Sequence, residues 1–104
     1  MKALPYFMKE NNKMRSIKID GTMLCDKIQT MNYIAELFGF AEYFGMNLDA
    51  LYDCLNDICE PTYIVINNID AIIQNLGNYG DKLLMVIKDA TEVNNMLQLC
   101  TDSK

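Results

Sequence analysis

Histidine and tryptophan are absent from this 104-residue chain, proline occurs only twice, and basic residues are missing where acidic ones gather. The lack of histidine removes the side chain that most often activates a nucleophile or binds a metal near neutral pH. From Glu42 to Asp81 there is no Lys or Arg, whereas Glu42, Asp49, Asp53, Asp57, Glu60, Asp70 and Asp81 all carry negative charge. A formal charge of −5 argues against direct nucleic-acid binding, which needs clustered cations to displace counterions from phosphates. The acidity is regional and points instead to a basic partner. No apolar run approaches the roughly 20 residues of a transmembrane helix. The apolar start Ala3-Leu4-Pro5-Tyr6-Phe7-Met8 is too short for a secretory core and lacks a small-residue cleavage site. A soluble cytoplasmic protein is expected, without membrane association.

Half of the residues are apolar and the charged fraction is ordinary, which excludes a long disordered acidic tail. A chain of this length folded as one domain buries roughly 65% of its unfolded surface, enough for a core without staples. The domain is expected over 15–104. Residues 1–14 read as an extension, either disordered or lying upstream of a natural start at Met14. Cys25, Cys54, Cys59 and Cys100 are irregularly spaced and read as reduced thiols rather than a disulfide framework.

Ser16-Ile17-Lys18-Ile19-Asp20 alternates as a short strand does, and Asp20-Gly21 punctuates it. Leu24, Ile28, Met31, Ala35 and Phe38 recur at helical spacing, with Asp26 near the start and Gly39 as a stop. Asn47 is an N-cap for a helix whose apolar stripe is Leu48, Leu51, Cys54, Leu55 and Ile58, running to about Cys59 before Pro61. Tyr63-Ile64-Val65-Ile66 has the pattern of a central strand covered on both faces. A short helix from Asp70 to Asn75, a turn at Gly77-Asn78-Tyr79-Gly80, a longer helix through Leu83, Leu84, Val86, Ile87 and Ala90, and a strand at Met96–Cys100 complete the chain. The alternation predicts an α/β layer fold with a small parallel sheet.

Asp49, Tyr52, Asp53 and Asn56 fall on the face opposite the Leu48 stripe and predict one exposed strip. Two carboxylates four residues apart repel each other, and this segment has no nearby cation to relieve them. A plain solvated helix face is the competing reading, with Asp49 gaining about 0.5 kcal/mol from the helix dipole. Paired-carboxylate catalysis is the other alternative, but an exposed helix face offers no pocket to raise one pKa or hold a substrate. Tyr43 and Phe44 precede the helix, and two adjacent aromatics cannot both point inward from an extended loop. Cys54 reads as a small apolar residue rather than a nucleophile, and a Cys54/Cys59 metal pair lacks partner ligands. No cofactor or metal is expected.

The stretch Tyr43-Phe44-Gly45-Met46-Asn47-Leu48-Asp49-Ala50-Leu51-Tyr52-Asp53-Cys54-Leu55 resembles the core motif of the barstar family, small intracellular inhibitors of barnase-type ribonucleases. Asp20-Gly21, Glu60-Pro61 and Ile87-Lys88-Asp89-Ala90 extend the similarity over most of residues 16 to 100. The resemblance implies a three-stranded parallel sheet packed against helices, and an inhibitor with no enzymatic activity of its own. It would block the cationic active site of a basic extracellular or toxin-type ribonuclease in a 1:1 complex, serving self-protection or immunity, and would be monomeric when free. It assigns partner contact to Tyr43, Phe44, Gly45, Asn47, Leu48, Asp49, Tyr52, Asp53 and Asp89, with Asp53 the dominant carboxylate. Met46 stands where an acidic residue is usual, Tyr52 replaces Trp, Asp89 is shorter than the usual Glu, and Ile58 replaces an aromatic. An acidic module for a different basic protein is the alternative.

Overall fold

The computed structural model describes residues 14–40 and 45–101. Strand β1 spans Arg15–Asp20, followed by a 3-10 turn at Gly21–Met23 and helix α1 at Lys27–Phe38. Helix α2 spans Leu48–Asn56, strand β2 Thr62–Asn67, helix α3 Ile69–Leu76, helix α4 Asn78–Val93 and strand β3 Leu97–Thr101. The sheet has the order β1-β2-β3 and is parallel throughout, with Arg15 opposite Thr62, Asp20 opposite Asn67, and Thr62 opposite Leu97. This is the expected α/β architecture.

Both crossovers step in the same direction across the sheet. Right-handed connections of that kind return over the same face. The core therefore forms on one side, where Ile17, Ile19, Ile64, Ile66 and Leu97 meet Met31, Ile34 and Phe38 of α1, Leu51 and Leu55 of α2, Ile72 of α3, and Leu83, Ile87 and Ala90 of α4. The expectation that β2 is covered on both faces is corrected accordingly. Thr62, Ile64 and Ile66 are buried, whereas Tyr63, Val65 and Asn67 are half-buried.

Helix α1 begins where Asp26 accepts a hydrogen bond from the Gln29 N–H at 2.8 Å and ends at Gly39, whose φ of 75° permits the left-handed stop. Its expected apolar stripe is displaced. Leu24 is buried ahead of the helix, and Ile28, 73% exposed, lies roughly a quarter turn from the face carrying Thr30, Met31, Ile34 and Phe38. The expected turn at Gly77–Gly80 contracts to Gly77 alone, because α4 already begins at Asn78. Gly80 is a close-approach residue rather than a turn former: a Cβ there would lie 2.7 Å from the Ile72 carbonyl oxygen of α3.

Arg15 links three segments at the start of β1. Its guanidinium pairs with Glu60 at 3.1 Å and donates to the Phe38 carbonyl at the end of α1, and its N–H donates to the Pro61 carbonyl. Among the described residues no helix is long and apolar enough to cross a membrane.

Candidate functional site

The approach to α2 is set by two residues with opposite backbone signs. Met46 adopts φ 59°, in the left-handed region, and Asn47 returns to an extended φ of −140°. The Asn47 side chain then accepts from the Ala50 N–H at 2.8 Å and donates to the Gly45 carbonyl at 3.3 Å. The expected N-cap is therefore in place, and it puts Asp49 in the first turn, where the helix dipole favours a negative charge.

Leu51 and Leu55, both 0% exposed, anchor the inner face of α2. That orientation turns Asp49 and Asp53 outward, about 6 Å apart along the helix axis. Neither makes a side-chain hydrogen bond or ion pair among the described residues, where the ion pair present is Arg15 with Glu60. The rest of the expected strip is less open. Tyr52 is half-buried against the core and Asn56 is half-buried, with its Oδ1 buried and unpartnered among the described residues.

Helix α2 stops at Asn56, three residues before its expected end. The cause is tertiary. Asn94, which caps the end of α4, donates from Nδ2 to the carbonyls of Leu55 at 3.0 Å and Ile58 at 3.1 Å, with Asn56 at 3.4 Å, while its Oδ1 accepts from the Met96 N–H. Asn94 thereby joins the last turns of α2 and α4, and Asp89 stands exposed on α4 about 7.5 Å up the axis from that joint. Sequence reasoning did not find Asn94, although an Asn-Asn pair closing a helix was its visible signal.

Gly45 is exposed, Leu48 is half-buried, and Tyr43 and Phe44 lie outside the described residues. The Cys54 thiol is pushed up, first by burial and then by the negative charges of Asp57 and Asp53, so it is held protonated rather than nucleophilic. All four cysteines are free thiols. Among the described residues no group of three or more Cys, Asp or Glu is disposed to hold a metal ion. Clefts of about 580 and 200 Å³ border α1, and neither takes Asp49 or Asp53 into its lining. The outer face of α2 is thus an exposed, negatively charged surface on a helix anchored by the buried Leu51 and Leu55. Its geometry suits docking against cations rather than enclosing a small substrate.

Comparison with known proteins adds two findings. The family model described as Barstar (barnase inhibitor) matches residues 14–100. The Bacillus subtilis (strain 168) protein named "Putative ribonuclease inhibitor YrdF" is 37% identical over 81 residues, covering 76% of this chain and 88% of that protein.

Proposed function

The chain belongs to the barstar family, and on that premise we propose that it inhibits a barnase-type ribonuclease by setting the outer face of α2 into the enzyme's cationic active site. The observation that carries this reading is the pair Asp49 and Asp53, exposed and without a cation or donor among the described residues. Like charges at i and i+4 cost a helix a few tenths of a kcal/mol. No cation or side-chain donor among the described residues relieves that repulsion, whereas a cationic cleft would.

An RNA-cleaving enzyme needs positive groups around the scissile phosphate, and carboxylates fixed on a helix meet the same groups. Unlike RNA, they present no bond to cleave, so the complementarity yields inhibition. Asp53 is the main contact, Asp49 stands beside it, and Gly45, Asn47, Leu48 and Tyr52 form the adjoining surface; the family motif assigns Tyr43 and Phe44 to the contact as well. Asp89 extends the contact from α4. The partner is a basic extracellular or toxin-type ribonuclease bound 1:1, and the inhibitor acts in the cytoplasm for self-protection or immunity.

Titrating the purified chain into an RNA-cleavage reaction with barnase, or with a small basic nuclease encoded beside it, tests the proposal. Stoichiometric loss of cleavage is expected, and the chain alone should leave RNA intact. Undiminished cleavage at micromolar inhibitor would remove the nuclease as its partner.

A further inference from the structure

Beside the amino end of α2 lies the smaller cleft, about 200 Å³, lined by Lys27 and Ile28 of α1, Met46, Asn47 and Leu48 at the entry to α2, and Tyr79 in the first turn of α4. Its apolar wall is partly on the outside of the molecule, with Ile28 73% and Met46 39% exposed. Exposed apolar residues scattered singly call for no explanation, but these two share one concave surface with Leu48 and Tyr79.

The cleft also carries charge of the opposite sign to the rest of this region. The Lys27 ammonium sits 5.2 Å from the centre of the Tyr79 ring, a cation–π contact that holds it beside the apolar wall. It has no carboxylate partner among the described residues. From residue 28 to residue 81 the chain has no other Lys or Arg, so Lys27 stands as a positive point at the border of an acidic surface.

We infer that this cleft is a second, specificity-determining contact for the nuclease: it receives an aliphatic or aromatic side chain from the rim of the enzyme's active site, with an enzyme carboxylate beside it facing Lys27. The inference rests on the reading of α2 as the inhibitory helix. Asn47 and Leu48 belong both to the cleft lining and to the surface beside Asp49, so an enzyme seated over Asp49 and Asp53 also covers the mouth of the cleft. The two charges then sort the partner's surface. Cations of the enzyme are drawn to α2 and repelled by Lys27, so the part of the enzyme over the cleft is apolar and acidic. A nuclease with the same catalytic cations but a basic or bulky polar rim is rejected.

The test compares the full chain with Ile28→Ser, Met46→Ser, Lys27→Glu and Asp53→Ala variants, measuring affinity for barnase, and for any small basic nuclease encoded nearby, by calorimetry at low and high salt. The Lys27, Ile28 and Met46 side chains are exposed, so melting temperatures of these variants should change little and report any failure to fold. Ile28→Ser and Met46→Ser are each expected to weaken binding about tenfold at either salt concentration. Lys27→Glu should weaken it about tenfold at low salt and much less at high salt. Methyl resonances of Ile28, Met46 and Leu48 should shift on complex formation. If the cleft variants bind within about twofold of wild type while Asp53→Ala loses about thirtyfold or more, the cleft lies outside the interface and the reading of α2 stands. A complex tightened by Lys27→Glu would overturn the carboxylate assignment. If no nuclease binds the wild type, or if Asp53→Ala is also silent, the reading of α2 falls and the cleft assignment falls with it.

Discussion

Asp20 on β1 and Asp53 on α2 are the same chemical group in opposite circumstances. Asp20 lies where β1 and β2 end side by side, and its carboxylate accepts from the Asn68 amide at 2.9 Å, the Thr22 hydroxyl at 2.8 Å and the Thr22 N–H at 3.0 Å. Its own N–H donates to the Tyr33 hydroxyl at 3.1 Å. Asp53 is held outward with no such partners among the described residues. The difference separates a charge that holds the fold together from a charge left available to another molecule. Substitutions in the first region should change stability, and substitutions in the second should change binding.

The sharpest break on the structural side is Gly21→Ala. A Cβ at position 21 would collide with the Asn68 carbonyl oxygen and lie 2.8 Å from Ile72 Cγ1 and 2.9 Å from the Asn67 carbonyl oxygen. These are mostly backbone atoms, so the ends of β1 and β2 must separate. Urea unfolding should reveal a loss of about 3 kcal/mol, the upper range for overpacking a filled site. An unchanged midpoint would mean that this junction yields more easily than its contacts imply.

On the binding side, Asp53→Ala should cost at least about 2 kcal/mol of affinity for the nuclease, the usual threshold for a dominant contact. The free protein should melt at the same temperature or slightly higher, since repulsion with Asp49 is relieved. Association with the enzyme should also slow as salt rises past the 10 Å screening length reached at about 0.1 M. A salt-independent association rate would show that the acidic face points away from the partner.

Asn94→Ala tests whether the two regions communicate. Removing its amide leaves the carbonyls of Leu55 in the last turn of α2 and of Ile58 just beyond it without their shared donor, at an expected cost of about 1.5 kcal/mol. Faster hydrogen exchange confined to the last turn of α2 would confirm that Asn94 holds this end, and uniform exchange would deny it. Asn47→Ala should cost about 1 kcal/mol through the lost cap at the other end. Thermal melting of each variant separates these contributions.

The smallest effect concerns acid. Asn68's amide first, then Thr22's hydroxyl and N–H, favour the ionised form of Asp20 and lower its pKa. A depressed carboxylate contributes stability that is complete above its unfolded value, near 3.9, and is lost as pH falls through the lower folded value. Melting curves from pH 2 to 7 should show the wild type losing an advantage over Asp20→Asn below about pH 4. Parallel curves would assign the acid sensitivity elsewhere.

Much of this architecture was legible in local chemistry. Asp20-Gly21, Asp26, Gly39 and Asn47 mark their boundaries because caps and turns are satisfied by atoms a few residues away. The parallel sheet followed from the alternation of strand and helix patterns, and the outward position of Asp49 and Asp53 from the spacing of Leu51 and Leu55. Their role in binding is a proposal that rests on the family and awaits the nuclease experiment. What escaped the sequence depends on which surfaces meet. A 3.6-residue period tells which side chains share a face of a helix, but the position of α1 over the sheet decided that Ile28 faces outward. The packing of the helices decided that, among the described residues, β2 buries its Thr62, Ile64 and Ile66 face and leaves Tyr63, Val65 and Asn67 half-buried. The close approach of α3 decided that Gly80 packs rather than turns, and the arrival of α4 decided, through Asn94, where α2 stops. Each of these is a contact between residues far apart in the chain, formed only when the helices have packed onto the sheet.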